Sequence, residues 1–262
     1  MDLGELTDRV VTLAKDCGGF IRKEAKNFSK SDVELKGKSD LVSYVDKETE
    51  KKLVKGLQSI LPEAGFITEE NTTAQTQKEL TWIIDPLDGT TNFVHGLPTY
   101  AISLGLMQGQ QIILGVIYEI NHEECFAAWK GGGAYLNGHK ITVSPAEKID
   151  DSLLATGFPY YNFEKLEEYL AILNELMKNT HGLRRVGSAA VDMAYVACGR
   201  YEGFFEYNLN PWDVGAGIVI VQEAGGTVTD FKGGKDYLFG REMVAAGAVH
   251  AELLGVIKKH WF

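Results

Sequence analysis

The spacing of apolar residues predicts two helices at the start of the chain. Over residues 2–26 the apolar side chains recur every three or four positions, so they share one face of a helix while charged residues share the other. A second helix is predicted over about residues 46–60, because Leu53 and Leu57 lie on one face and Pro62 follows its end. The chain therefore opens with a pair of amphipathic helices.

From residue 80 the pattern changes to runs that are typical of β-strands. LTWIID, YAISLGLM, IILGVIYEI and ECFAAW have strand length, and GQQ and NHE are turn signals between them. The following segment, GGGAYLNGHKITVS, adds a Gly-rich turn and the hairpin signal Asn137-Gly138. The first half is therefore predicted to be a helix pair with an antiparallel sheet, ending near Pro145.

The second half alternates between strand and helix patterns, which is typical of α/β organisation. In chain order the predicted elements are strand LLATG, helix 163–179, strand RRV, helix 188–198, strand EGFFE, helix 213–224, strands GTVTD and MVAAG, and helix 250–260. We expect one layered body with two packed halves, residues 1–145 and 146–262, and a ligand cleft between them.

Composition and charge exclude several classes of partner. The 262 residues are 45% hydrophobic and carry a formal net charge of −10, with a pI near 5.1. A field of that sign repels nucleic acid and anionic lipid, so no nucleic-acid or membrane partner is expected. An anionic substrate would need bound divalent cations to invert the local field.

Cysteine usage and the N-terminus predict a cytoplasmic protein. Cys17, Cys125 and Cys198 are far apart in the sequence, and none belongs to a zinc-ligand pattern. The opening MDLGELTDRV lacks the features of a signal peptide, and no apolar run approaches membrane-spanning length.

The segment WIIDPLDGTTNF places two carboxylates where a buried strand ends. The loop allows Asp85, Asp88 and the carbonyl of Leu87 to converge, and hard oxygen ligands of this kind suit Mg²⁺. The backbone N–H groups of Gly89 and Thr90 follow at once and form a candidate phosphate site. From this loop alone, an ordinary Asp/Gly turn explains the pattern about equally well.

Two further segments end in acidic residues. GFITEE is a short apolar strand followed by Glu69 and Glu70, and PWDVGAG places Asp213 at the start of an apolar helix. Taken singly, a solvated loop pair is the better explanation for Glu69 and Glu70, and a helix N-cap is the better explanation for Asp213. Their occurrence together with DPLDG is what favours a metal site.

These motifs resemble a known family. DPLDGTTNFVHGLP followed by WDVGAGIVIVQEAGG is similar to the paired signature of inositol monophosphatases and their lithium-sensitive, Mg²⁺-dependent phosphatase relatives. GFITEE resembles the family's glutamate-bearing segment, and SDLVSYVD resembles its mobile N-terminal loop and following acid. VGSAAVDMAYVACGRYEGFFE resembles its substrate-binding stretch, so the similarity spans roughly residues 5–250.

The resemblance implies an α+β, α/β fold: a layered αβαβα sandwich of the sugar-phosphatase type, with the active site between the halves. It also implies a homodimer that lithium inhibits.

The resemblance further implies two or three Mg²⁺ ions per site. One would be held by Glu69, Asp85 and the Leu87 carbonyl, and a second by Asp85, Asp88 and Asp213, with a weaker third near Glu69. Such ions neutralise phosphate and activate a water molecule.

Three catalytic residues follow from the resemblance. Thr90 matches the hydroxyl that orients the nucleophilic water, Asp46 matches the acid paired with it, and Glu69 shares the role of base. Without the resemblance, Asp46 is better explained as an acid that favours a helix N-terminus.

The resemblance also implies a site for the alcohol part of the substrate. Glu206 matches the hydroxyl-binding glutamate, with the Ala189 backbone, Asp88 and Asp213 nearby. A carboxylate that accepts from vicinal hydroxyls suits a polyol, although an exposed acid at the end of a strand explains Glu206 as well. Arg184 and Arg185, just before this stretch, could help to hold an anionic substrate or pair across a subunit interface, but two arginines beside a strand are more often a solvated face.

The sequence therefore predicts a phosphomonoesterase that hydrolyses myo-inositol 1-phosphate or a related sugar or polyol phosphate. The same site could serve fructose 1,6-bisphosphate, NADP or 3′-phosphoadenosine 5′-phosphate. Two other classes stay open: a phosphate- or metal-binding regulator without turnover, and a structural Ca²⁺ site, although the Ca²⁺ loop spacing is incomplete.

Overall fold

The computed structural model describes residues 2–28, 33–37, 40–159 and 162–262. Helix α1 (Leu3–Ala25) begins where the Asp2 carboxylate accepts hydrogen bonds from the Gly4 and Glu5 amides. Helix α2 (Tyr44–Ile60) begins after Ser43. The predicted helix pair is therefore present.

Two short strands precede α2. They are β1 (Val33–Gly37) and β2 (Asp40–Ser43), which pair antiparallel. A mobile loop was expected here, because SDLVSYVD resembles the mobile N-terminal loop of inositol monophosphatases. Residues 29–32 and 38–39 lie outside the described part, and the mobility of the segment stays a prediction.

The first sheet has seven strands in chain order. They are β3 (Gly65–Thr68), β4 (Leu80–Asp88), β5 (Ala101–Gln108), β6 (Gln111–Glu119), β7 (Glu124–Trp129), β8 (Gly133–Leu136) and β9 (His139–Ile141). Strands β4 to β9 pair antiparallel, as predicted. Strand β3 instead runs parallel to β4, because residues 69–79 carry the chain back to the end of the sheet where β3 began. Asn137 and Gly138 make the predicted hairpin turn, with φ of 50° and 81°.

A short helix, α3 (Thr90–His95), follows β4, and the second half then alternates as predicted. Its elements are β10 (Leu153–Thr156), α4 (Leu166–Asn179), β11 (Gly182–Arg184), α5 (Ala189–Ala197), β12 (Gly203–Tyr207), α6 (Pro211–Glu223), β13 (Thr227–Thr229), β14 (Glu242–Ala246) and α7 (His250–Trp261). The five strands lie in the order β11-β10-β12-β14-β13. Strand β10 is parallel to both its neighbours, whereas β14 is antiparallel to both of its own.

Strand β11 lies two residues earlier than the predicted RRV strand. The Val186 carbonyl accepts a hydrogen bond of 2.7 Å from the Asn92 side-chain amide rather than joining the sheet. Gly187 then turns the chain towards α5 with a φ of 87°. The segment between β11 and α5 is therefore tied to α3.

The elements stack in five layers. Helices α1 and α2 cover one face of the seven-stranded sheet, α5 and α6 lie between the two sheets, and α4 and α7 cover the outer face of the five-stranded sheet. This is the predicted αβαβα sandwich. The core between the two sheets contains residues from both halves of the chain, such as Ile83 and Val219. A division of the chain at residue 145 stays a prediction.

In the described ranges, none of the helices combines the length and the apolar character needed to cross a membrane.

Candidate active site

The site is built where β4 leaves the core. Pairing between β4 and β5 shifts register between Asp85 and Asp88, so the strand bulges there. Asp85 is 2% exposed, and its Oδ1 accepts a hydrogen bond of 2.9 Å from the Leu87 amide. Gly89 ends the strand with a φ of 93°, and a Cβ at this position would lie 3.0 Å from the Thr99 carbonyl oxygen. The turn therefore requires glycine at position 89, because other residues are strained at a positive φ and a Cβ would crowd the Thr99 carbonyl.

Asp88 joins this turn to the start of helix α5. Its Oδ2 accepts hydrogen bonds from the Ser188 hydroxyl at 2.6 Å and from the Ala190 amide at 2.7 Å. Burial raises the pKa of Asp88 to about 6, although these hydrogen bonds favour the ionised form.

Asp213 approaches from helix α6. It lies in the first turn, where its Oδ2 accepts a hydrogen bond of 2.7 Å from the Asn210 amide. Burial and the charge of Asp88 raise the pKa of Asp213 to about 7.

Glu69 completes an acidic cluster, which we define as Glu69, Asp85, Asp88 and Asp213. It follows β3, and its amide donates to the Ile84 carbonyl at 3.3 Å. Burial raises the pKa of Asp85 well above its ordinary value, and the charges of the other three carboxylates add to the rise. The structure thus brings together all four acids that the sequence singled out.

The chemistry of this cluster fits a hard divalent cation. Four partly desolvated carboxylates repel one another, and oxygen donors of this type are those that Mg²⁺ binds. Within the described ranges, no three His, Cys, Asp or Glu side chains are disposed around one point as ligands of a single ion. The assignment of individual metal ligands therefore stays a prediction.

Thr90 and Asp46 lie together at one side of the cluster. The Thr90 hydroxyl is 2.9 Å from Asp46 Oδ1 and 3.0 Å from the Leu87 carbonyl oxygen, so it donates to one of them at a time. Asp46 is fully buried in α2, and Ser43 donates to its Oδ2 through the backbone amide at 2.9 Å and the hydroxyl at 2.6 Å. Burial raises the pKa of Asp46. Asp46 therefore both caps α2 and holds the Thr90 hydroxyl.

Glu206 lies near the end of β12 and lines the same pocket. Burial raises the pKa of its carboxyl well above the ordinary value, and the charges of Asp213 and Asp88 act in the same direction. A Cβ on Gly157 would lie 2.0 Å from the Glu206 carboxyl group. The glycine therefore leaves the space that this carboxylate occupies.

Two further residues of the pocket, Arg185 and Asp192, were not identified as site residues from the sequence. A solvated face was the favoured prediction for Arg185, but this residue is only partly exposed and lines the pocket, where its charge acts to lower the pKa of Asp192 and Glu206. Arg184 is exposed, as predicted. Asp192 is 1% exposed in α5 and also lines the pocket. A lone acid in the apolar run AAVDMAYVA was a signal that could have identified Asp192.

Together these residues enclose one pocket of about 280 Å³ between the two halves of the chain. The residues lining it that the sequence predicted are Glu69, Asp85, Leu87, Asp88, Gly89, Thr90, Ala189, Glu206 and Asp213. Asp46 contacts the pocket through Thr90.

Known proteins match this chain over nearly its whole length. A model of the inositol monophosphatase family matches residues 2–261. The chain is 39% identical over 236 residues to Nus factor SuhB of Escherichia coli K12, covering 90% of this chain and 88% of that protein. It is 37% identical over 256 residues to an inositol-1-monophosphatase of Mesorhizobium japonicum, covering 97% and 96%.

Solved structures match the fold equally well. The extragenic suppressor protein suhB of Bartonella henselae gives a TM-score of 0.90 at 38% identity and covers 96% of this chain and 98% of that one. The inositol monophosphatase of Anabaena gives 0.89 at 32% identity, with coverage of 99% and 98%. An IMPase/NADP phosphatase complexed with Mg²⁺ and phosphate gives 0.85 at 25% identity, with coverage of 98% and 96%. The resemblance and the layered fold are thereby confirmed, and the chain belongs to the inositol monophosphatase family.

Proposed function

We propose that this chain is a Mg²⁺-dependent phosphomonoesterase that hydrolyses a sugar or polyol phosphate, with myo-inositol 1-phosphate as the first candidate. The observation that carries the proposal is the acidic cluster, set in one pocket beside the Thr90 hydroxyl and the amide-rich turn at Gly89. An acidic pocket repels phosphate unless cations occupy it. Membership of a phosphatase family and the Mg²⁺ and phosphate of one structural neighbour support the same chemistry.

The predicted ligands for two Mg²⁺ ions are the four carboxylates of the cluster together with the Leu87 carbonyl, with a third ion near Glu69. When bound, the ions would supply positive charge to the phosphate and Lewis acidity to the reacting oxygens. The backbone amides at Gly89 and Thr90 lie beside Asp88 and are proposed to donate to phosphate oxygens.

Thr90 is proposed to orient the water that attacks phosphorus. Its proton is directed at Asp46 or at the Leu87 carbonyl, which leaves the hydroxyl oxygen free to accept a hydrogen bond from that water. Glu69, which lines the same pocket, is proposed to accept a proton from this water as general base. Asp46 is proposed to act through Thr90, because its side chain is fully buried.

Glu206 and the backbone at Ala189 are proposed to bind the alcohol part of the substrate, beside Asp88 and Asp213. A buried carboxylate accepts hydrogen bonds from hydroxyl groups and repels a second phosphate. We therefore rank inositol and other polyol monophosphates above fructose 1,6-bisphosphate, NADP and 3′-phosphoadenosine 5′-phosphate. Lithium inhibition, a homodimer and a cytoplasmic location carry over from the sequence analysis as proposals.

The test is phosphate release from these four substrates, each with Mg²⁺, with EDTA, and with Mg²⁺ plus Li⁺. We expect release from inositol 1-phosphate that requires Mg²⁺ and that Li⁺ suppresses. A large preference for a nucleotide substrate would replace the polyol assignment. Asp88→Asn should abolish turnover, because it removes one charge from the cluster and replaces one carboxylate oxygen with an NH₂ group that cannot accept a hydrogen bond or bind a cation.

A second candidate is a regulator that binds metal or phosphate without turnover. It is favoured by the name of the Escherichia coli relative, Nus factor SuhB, which is not the name of a phosphatase. The prediction that no nucleic acid binds rests on the net charge of −10 alone. If the unmutated protein binds Mg²⁺ but releases phosphate from none of the four substrates, the regulator proposal replaces the enzyme.

A further inference from the structure

Helix α2 carries a second buried acid that the proposed mechanism does not use. Glu50 is fully buried, and its carboxylate accepts three hydrogen bonds. Oε2 accepts from the Glu70 amide at 2.7 Å, and Oε1 accepts from both the amide and the hydroxyl of Thr72 at 2.7 Å. All three donors belong to residues 69–72, the loop that carries Glu69. Glu50 therefore ties this loop to α2.

The same helix also holds Thr90. Asp46 and Glu50 are four residues apart, which places them on one face of α2. Asp46 accepts from the Thr90 hydroxyl, while Glu50 accepts from the Glu69 loop. The helix itself is fixed to the sheet by Leu53 and Leu57, which are fully buried. One rigid element thus anchors the two loops that supply both proposed water-handling groups.

This anchoring opposes a force inside the site. Glu69 and Asp85 are neighbouring acids in a partly desolvated pocket, so repulsion between their ionised forms would push the Glu69 loop away from the cluster. Hydrogen bonds to a buried carboxylate are about twice as strong as those between neutral groups. Three of them on one short loop are suited to resist that repulsion.

We propose that Glu50 is a positioning residue that holds the Glu69 loop in place for metal binding. The inference rests on the proposed metal-dependent function, and it assigns Glu50 no contact with substrate or metal. Glu50→Gln keeps the size of the side chain but turns an NH₂ group towards one of the loop amides, so that amide loses its acceptor. Thr72→Val removes only the hydroxyl bond and should have a smaller effect.

The first readout is hydrogen exchange of the metal-free protein. In Glu50→Gln, the amides of residues 70 and 72 should exchange about tenfold faster, while amides in β4 to β7 keep their protection, because only the loop opens. Glu48→Gln is the matched control, since Glu48 lies on the same helix with its side chain 47% exposed and paired to Lys51. Unchanged exchange at residues 70 and 72, or an equal rise across the sheet, would overturn the proposal.

The second readout is calorimetric titration with Mg²⁺ alone. Glu50→Gln should weaken Mg²⁺ binding about tenfold, which equals about 1.4 kcal/mol, and excess Mg²⁺ should restore kcat. A binding constant equal to that of Glu48→Gln would refute the positioning role. If both readouts shift but the unmutated protein releases no phosphate from any substrate, Glu50 keeps its role and the phosphatase proposal fails instead.

Discussion

Removing divalent cations should make the stability of this protein fall as pH rises. Asp85 is buried and the other three members of the cluster are partly buried. Without a cation, hydrogen-bond donors and Arg241 offset only part of their charge. The pKa of Asp88 is raised from 3.8 to about 6, and that of Asp213 from 3.8 to about 7. These two shifts set the pH window.

The sign follows from proton binding. Between pH 3.8 and about 6, folded Asp88 keeps a proton that the unfolded chain has released, so the folded state binds more protons and loses stability as pH rises. One pKa unit corresponds to about 1.4 kcal/mol, so Asp88 alone accounts for about 3 kcal/mol and Asp213 for about 4 kcal/mol. Such losses are a large part of the total stability of a domain, about 5–15 kcal/mol. Above about pH 7 the decline from Asp88 and Asp213 should be complete.

Urea unfolding between about pH 5 and pH 8, with EDTA and with saturating Mg²⁺, measures the effect. With EDTA the free energy of unfolding should fall by several kcal/mol, and Mg²⁺ should restore about 3 kcal/mol at a hundred times its dissociation constant. Asp88→Asn should make the decline in EDTA shallower, because the asparagine side chain has no proton to release while Asp213 still titrates. Parallel curves with and without Mg²⁺ would refute both the repulsion and the metal site.

Two further predictions concern single residues of the pocket. Gly157→Ala should push the Glu206 carboxylate aside, because the new Cβ would lie 2.0 Å from it, while the flexible glutamate lets the fold persist. The KM for a polyol phosphate should rise about tenfold with kcat for p-nitrophenyl phosphate unchanged, and an equal loss for both substrates would contradict the reasoning. Thr90→Val should lower kcat about a hundredfold or more, because the hydroxyl that Asp46 holds is gone. The free energy of unfolding should fall by only about 1 kcal/mol. A kcat close to that of the unmutated protein would show that Thr90 has no role in the mechanism.

Local patterns in the sequence were sufficient to predict most of the fold. Periodicity identified α1 and α2, and the alternating runs identified β4 to β7, because each pattern is set by one buried face of one element. The parallel pairing of β3 was not predictable in this way. Its direction depends on where residues 69–79 cross the sheet, which short-range pattern does not record. Strand β11 was misplaced because a distant residue, Asn92, takes the carbonyl of Val186.

For the site, the sequence showed which acids occur at element ends but not what surrounds them. Asp85 and Asp88 belong to one short motif, so their proximity was readable from spacing alone. Contacts such as that between Asp88 and Ser188 join residues about a hundred positions apart, and local sequence patterns cannot predict them. Arg185 was misassigned for the same reason, since its surroundings come from other elements. Glu50 resembles any acid of an amphipathic helix until its three buried hydrogen bonds are seen.

The position of the acidic cluster in the fold explains how the chain tolerates it. Helices α5 and α6 both begin at the pocket, and their N-termini carry partial positive charge towards Asp88 and Asp213. Amide and hydroxyl donors at Ser188, Ala190 and Asn210 stabilise the same charges. These contributions offset only part of the repulsion, because the pKa values of both aspartates stay raised. The fold therefore holds the carboxylates close together without fully neutralising their negative charge. A divalent cation that neutralised the remaining charge would bind favourably at this site.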